Sequence, residues 1–191
     1  MASYPSSIWS PATVVDDTTE CDAAWANPLQ AEIVAIETAL GANLANVEKD
    51  IGAKVTSTAA QTITNNTTTA IAFDSEVYDT DGIHDNSTNN TRLTCKTAGK
   101  YHIVANLNYE SDDPAVGVRM FGIYVDGTRV VKEVNDCVTL DNTTVSMSTI
   151  QNLAVNQYVE IKTVQNSGGN LNVDQNSYSP FFMMHLLSET T

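Results

Sequence analysis

The stretch KYHIVANLNYE, residues 100–110, alternates between two kinds of side chain, and this alternation constrains the fold more than any other segment. One face would carry only apolar and aromatic side chains: Tyr101, Ile103, Ala105, Leu107 and Tyr109. The other face would carry His102, Asn106 and Asn108. Because successive side chains of a strand point to opposite faces, this two-residue period predicts a strand with one buried face.

Similar short runs continue through residues 57–191, divided by Asn, Asp and Gly, as is typical of a sandwich of short strands. Residues 118–134 predict a hairpin around Asp126 and Gly127, a pair suited to positive φ in a tight turn. Further strands are expected near residues 61–64, 69–73, 91–95, 144–151, 157–165, 169–173 and 180–187. The fold class is therefore predicted to be mainly β, with about ten strands.

Two predicted strands, VRMFGIYV (residues 118–125) and FFMMHLL (residues 181–187), are apolar on both faces. A strand in a two-layer sandwich needs to bury only one face. We therefore expect a neighbouring copy of the same domain to cover the second face. The residues assigned to this interface are Phe121, Ile123, Phe182 and Met184.

Residues 28–56 are predicted to form a helical stalk, with Asn27 as N-cap and Pro28 in the first helical position. From Ile33 onward the apolar spacing has an 11-residue period, which keeps the stripe nearly straight and favours parallel packing of identical helices. The stripe residues assigned to this interface are Leu29, Ile33, Ile36, Leu40, Leu44, Val47 and Ile51. A single amphipathic helix lying on its own domain would show the same stripe. Gly41 could equally be the C-terminal cap of a shorter helix.

Residues 1–27 contain two prolines and no usable periodicity, so we expect an extended docking arm. Its apolar anchors would be Ile8, Trp9 and Trp25, although the arm could also pack against its own subunit. The three cysteines share no C-x-x-C spacing, which favours buried thiols over a zinc site or a redox pair. An interchain disulfide through Cys21 remains a hypothesis.

The formal charge of −14 disfavours nucleic acid as a partner, because nucleic-acid binding requires clustered Lys and Arg. The sequence has no apolar run of the ~18 residues that would span a bilayer, so membrane insertion is not expected. The N-terminal residues lack the basic start and apolar stretch of a signal peptide. We therefore expect a soluble chain made in the cytoplasm.

Asp79, Asp81 and Asp85 offer oxygen ligands at plausible proximity, as a calcium loop might. The segment lacks the sixth-position Gly and twelfth-position Glu of an EF-hand, so a solvated loop with Asp and Asn turns is favoured over a metal site. The three histidines, His84, His102 and His185, lie in no nucleophile or metalloprotease motif. We therefore expect no enzymatic activity and no cofactor.

Residues 70–110 resemble the early strands of the globular-head family of the first complement component, which is related to the tumour necrosis factor jelly roll. The resemblance rests on the pairs Phe73-Asp74 and Thr94-Cys95, and on Gly99 and Tyr101. Residues 155–173 and 179–187 are similar to the family's later strands, so the likeness extends over residues 58–188. It implies a ten-stranded jelly roll that forms compact homotrimers. Some relatives bind calcium near the trimer axis, which keeps calcium open as a ligand.

Residues 23–43, AAWANPLQAEIVAIETALGAN, are similar to a segment found in tailed-bacteriophage fibre, spike and decoration proteins. The resemblances imply three parts: a docking arm (residues 1–27), a trimeric helical stalk (28–56) and a jelly-roll head (57–191). We expect a structural virion protein, made in the host cytoplasm, that binds the capsid or another virion protein through its arm. The alternative is a tail-tip protein whose loops 79–91, 110–117 and 135–143 bind a host surface glycan or protein.

Overall fold

A computed structural model describes residues 31–36, 38, 50–111, 116–137, 141–176 and 179–190. The chain divides into two compact units, Met1–Lys49 and Asp50–Thr191, and we call the second unit the head. In the first unit, residues 31–36 and 38 are helical. No helix among the described residues is long and apolar enough to cross a membrane.

The described part of the head contains twelve strands. They are β1 (Gly52–Thr56), β2 (Gln61–Ile63), β3 (Thr69–Ala70), β4 (Ser75–Asp79), β5 (Arg92–Thr94), β6 (Gly99–Tyr109), β7 (Val118–Val125), β8 (Thr128–Asp136), β9 (Thr143–Leu153), β10 (Tyr158–Gln165), β11 (Leu171–Val173) and β12 (Phe181–Glu189). Ten of these lie in the regions predicted from alternation. β1 and β4 are additional.

The strands form two sheets in which every described pairing is antiparallel. In the first, sheet A, β6 pairs with β9 along one side and with β12 along the other. Sheet A continues from β12 to β1 and β4, while β11 joins β6 to β2. In the second, sheet B, β10 and β7 are central, β8 pairs with β7, and the short strands β3 and β5 pair with β10. The predicted mainly-β sandwich is confirmed.

The core lies between the two sheets, and β6 contributes most to it from sheet A. Its five alternating residues from Tyr101 to Tyr109 are all fully buried, as predicted. The facing residues of sheet B include Leu93, Val159 and Ile161, which are also fully buried. Burying a side chain of this size stabilises the fold by about 1.5–3 kcal/mol. The alternation in the sequence therefore reflects a single continuous core.

The predicted hairpin around residues 126 and 127 is also confirmed. β7 and β8 are joined by Asp126 and Gly127, with φ of 46° and 78°. Two successive residues with positive φ match the right-handed twist of the flanking strands. The Asp126 carboxylate also accepts hydrogen bonds from the Tyr158 backbone N–H and from Gln157 Nε2, at 3.0 and 2.7 Å, which tie the turn to β10.

The prediction that the stalk helix continues to residue 56 is wrong for its last turn. Residues 52–56 form β1, and Ile51, which was assigned to the stalk interface, is 6% exposed within the head core. Ile51, Ala53 and Val55 also alternate, so this short segment satisfies the period of a strand as well as that of a helix. Pairing with β12 and β4 selects the strand.

The assignment of four strand residues to a subunit interface is also wrong. Phe121, Ile123, Phe182 and Met184 are all 0% exposed in the single chain, because they point between the sheets into the core. The opposite faces of β7 and β12 therefore point outward. The remaining stalk residues Leu29, Leu40, Leu44 and Val47 lie outside the described residues, whereas Ile33 and Ile36 are 49% and 57% exposed.

Candidate interaction surfaces

The outward face of sheet A carries apolar side chains among polar ones where β6, β9 and β12 run side by side. Cross-strand pairing places Met183 of β12 beside Val104 of β6, and Phe181 lies two residues along β12 on the same face. Two further apolar side chains remain open to solvent, Ile150 at 59% and Leu187 at 54% exposed. We define these five residues as the apolar face: Val104, Ile150, Phe181, Met183 and Leu187.

Two asparagines on the same side of β6 have unsatisfied polar atoms. Asn106 Nδ2 donates to Ser146 Oγ at 2.7 Å, and Thr144 Oγ1 donates to Asn108 Oδ1 at 2.8 Å. Within the described part of the chain, the buried atoms Asn106 Oδ1 and Asn108 Nδ2 find no hydrogen-bond partner. A buried polar atom left unpaired costs about 1–3 kcal/mol.

A histidine pair lies among the residues of the apolar face. His185 of β12 is directly opposite His102 of β6, and His102 is in turn opposite Ile150 of β9. His185 Nδ1 lies 3.8 Å from Asp50 Oδ1. A Cβ at Gly52 would come within 2.8 Å of His185 Nδ1, so the missing side chain at Gly52 makes room for the imidazole.

Two of the aspartates considered as calcium ligands, Asp79 and Asp85, organise the loop between β4 and β5. Asp79 Oδ1 accepts from the Ile83 N–H and Asp79 Oδ2 from the His84 N–H, both at 2.9 Å. Asp85 Oδ1 accepts from the backbone N–H groups of Ser87 and Thr88, and these bonds lower the pKa of the Asp85 carboxyl to about 2. Among the described residues no group of three or more His, Cys, Asp or Glu is placed to hold a metal ion.

The His84 ring fastens this loop to the sandwich. Its side chain is fully buried, with Nδ1 3.0 Å from Glu76 Oε1 and Nε2 3.3 Å from the Asn90 backbone oxygen. A carbonyl oxygen and an ionised carboxylate can only accept, so each ring nitrogen faces an acceptor. Sequence reasoning missed this role, because only the fold brings Glu76 and Asn90 to opposite edges of the ring.

The proposed docking residues Ile8, Trp9 and Trp25, and the arm cysteine Cys21, lie outside the described residues. Cys95, in contrast, is buried, and its Sγ lies 3.2 Å from the Thr97 backbone oxygen. Burial raises the pKa of the Cys95 thiol, which is consistent with the expected inert, apolar role.

Comparison with known proteins places the chain in a family. A family model described as the malectin domain matches residues 31–179, which include β1 through β11 of the head. The chain belongs to the malectin-domain family. A search of curated proteins found no match to this malectin-family chain.

Solved structures show which sandwich the head resembles. The globular domain of zebrafish complement 1qA protein is similar with a TM-score of 0.54 and 12% identity, covering 73% of this chain and 99% of that one. The Eiger TNF from S. frugiperda is similar with a TM-score of 0.56 and 8% identity, covering 75% and 96%. At these identities the likeness concerns the fold. The head of this malectin-family chain is a jelly-roll-like sandwich similar to complement 1q and TNF domains.

Proposed function

We propose that this chain is a homotrimeric structural protein of a bacteriophage particle, a head fibre or capsid decoration that displays the head and attaches through residues 1–27. The observation that carries the proposal is the apolar face on sheet A. Ile150 and Leu187 are more than half exposed on the same face of the sheet as three further apolar side chains, and exposed apolar side chains grouped on one face favour a protein–protein contact.

Two further observations support self-association. The helical residues Ile33 and Ile36 expose their apolar stripe to solvent. The resemblance to the complement head implies a trimer, and the phage assignment rests on the similarity of residues 23–43 to phage fibre and decoration proteins.

The oligomer is tested by measuring the mass of the full-length chain by sedimentation at micromolar concentration. We expect three times the chain mass of 20.6 kDa. Ile150→Glu should shift the equilibrium to smaller species, because a carboxylate would be buried without a partner. Val155→Glu is the matched control, since Val155 is 51% exposed in the turn between β9 and β10. A wild-type chain that sediments as a monomer, or equal effects of the two substitutions, would contradict the proposal.

A second candidate is the tail-tip receptor-binding protein. It is favoured by the loop between β4 and β5, which is exposed along residues 85–89 and held by Asp79, Asp85 and His84. A loop already ordered before binding avoids part of the entropy cost of recognition. Saturable adsorption of the full-length trimer to host cells, lost when residues 86–89 are replaced by Gly and Ser, would favour this candidate over a purely structural role.

A further inference from the structure

Two histidines lie side by side on the outward face of sheet A. His102 of β6 and His185 of β12 are directly opposite each other, and we call them the histidine pair. Ile150 lies opposite His102 on its other side, while Val104 and Met183 form the next cross-strand pair on the same face. Directly opposite side chains of neighbouring strands are close enough to interact. The histidine pair is therefore flanked by members of the apolar face.

In the separate chain both rings remain within reach of water. The His185 side chain is 39% exposed, and His102 is partly exposed. Asp50, whose side chain is 79% exposed, has Oδ1 3.8 Å from His185 Nδ1. An ion pair this open to solvent contributes little stability. Each ring can therefore exchange its proton with solvent as long as the face is uncovered.

The other charged groups that the described part of the head places around the histidine pair balance one another. Lys100 lies two residues before the histidine of β6, and Lys54 lies on the same face of β1. The carboxylates are those of Asp50, which precedes β1, and Glu189, at the end of β12. Two lysines thus oppose two carboxylates. Protonation of the histidine pair would therefore add two positive charges to a balanced set.

The two remaining strands of this face add no further charge in the range where histidine titrates. β4 contributes Tyr78, opposite Lys54, and burial together with the charge of Asp50 raises the pKa of the Tyr78 hydroxyl. The residues that β9 places on this face are not ionisable: Ser146, Ser148, Ile150 and Asn152. The histidine pair is therefore the group that changes the charge of the face near neutral pH.

A protonated histidine is costly to bury. The proposed trimer would cover the apolar face with a neighbouring copy, so that the rings lose their contact with water. A buried charge without a partner is strongly unfavourable. In a symmetric assembly every copy also brings the same added positive charges, which repel one another where the copies meet. The charge state of the histidine pair can therefore decide whether the face is buried.

We propose that the trimer is a pH-sensitive assembly, formed through sheet A while the histidine pair is neutral and released when the pair is protonated. This inference rests on the proposed trimer and adds the condition under which the trimer comes apart. Assembly expels protons, so the association is strongest above the range in which histidine titrates. It is lost as the pH falls through that range, from about 7 to 5.

Sedimentation of the full-length chain at pH 7.5 and at pH 5.5 tests the inference, with a chelator present so that only protonation differs. Each proton that leaves on assembly weakens the association about tenfold per pH unit below the histidine range. We therefore expect the association constant of the trimer to fall by about a hundredfold or more between the two pH values. Circular dichroism should show the same folded head at both.

His102→Gln with His185→Gln keeps two polar side chains in the face but removes the groups that take up protons. Whatever the affinity of this double variant, its association constants at the two pH values should agree within about threefold. Either single substitution should give an intermediate ratio of the two constants. His84→Gln is the matched control, because His84 lies in the loop between β4 and β5, outside the apolar face. It should keep the wild-type ratio.

The outcomes separate this inference from the proposed function. A wild-type monomer at pH 7.5 would contradict the trimer and the inference with it. A wild-type trimer of equal affinity at both pH values would overturn the inference alone. An undiminished ratio in the double variant would also overturn it, since groups other than the histidine pair would then be the ones that respond to pH.

Discussion

At the scale of single residues, Glu160 shows how the fold uses a buried charge. Burial raises the pKa of the Glu160 carboxyl. The hydrogen bonds from Lys162, Thr91 and Arg92, and the positive charge of Lys162, lower this pKa by more than burial raises it. The resulting pKa therefore lies below the ordinary value. A carboxylate with a lowered pKa in the folded state stabilises that state above its ordinary pKa of about 4.5. This stabilisation is lost as the pH falls through the lowered value.

Glu160→Gln should therefore lower the free energy of unfolding by about 1–2 kcal/mol at pH 7, since two cations would lose their partner. The difference between wild type and variant should shrink as the pH falls below about 4.5. Urea denaturation between pH 3 and pH 7 measures both effects. A difference that stays constant over this range would show that Glu160 acts through packing and not through its charge.

At the scale of elements, the pairing of β6 with β12 depends on close backbone approach. β12 has an irregularity between Leu186 and Ser188 where it passes the start of β6. A Cβ at Gly99 would clash there with Leu186 Cδ1 and with the Ser188 backbone oxygen. The glycine that carried part of the family resemblance is therefore needed for strand packing.

Gly99→Ala should destabilise the head by about 1–3 kcal/mol, because the backbone oxygen cannot move aside without breaking strand pairing. Gly169→Ala is the control, since a Cβ there meets no atom within 4 Å. Chemical denaturation of both variants measures the two free energies of unfolding. Equal stability of the two variants would mean that β12 can shift to accommodate the methyl group.

At the scale of the whole molecule, an assembly would have to cover two separate apolar surfaces. One is the apolar face of sheet A, and the other is the helical stripe represented by Ile33 and Ile36. An isolated helix gains little stability without packing of its apolar side. The proposed association of identical chains would bury apolar side chains of each surface.

Ile33→Ser with Ile36→Ser should weaken the proposed trimer and leave the folding of the head unchanged. Val34→Ser is the matched control, because Val34 is 54% exposed on the same helix but outside the stripe. Sedimentation over a dilution series gives the dissociation of each variant, and circular dichroism reports the fold of the head. Loss of the trimer in the Val34 variant to the same degree would indicate a general loss of helix and not a specific stripe contact.

The sequence alone was sufficient to predict the fold class, the ten alternating strands and the hairpin at Asp126 and Gly127, since period and turn chemistry are local properties. β1 escaped prediction because its alternation also fits a helical stripe. β4 escaped because it lies at the edge of sheet A, with Val77 60% exposed, and shows no regular burial pattern.

Only the tertiary structure decided which face of each two-sided apolar strand points inward. Alternation separates Phe181 and Met183 from Phe182 and Met184, but it cannot say which pair meets the opposite sheet. The same holds for the charged side chains on the outward face of sheet B, where Arg92, Arg129 and Glu160 are far apart in sequence and come together only through strand register. The sequence determines which side chains share a face, whereas the packing of one sheet on the other determines what that face contacts.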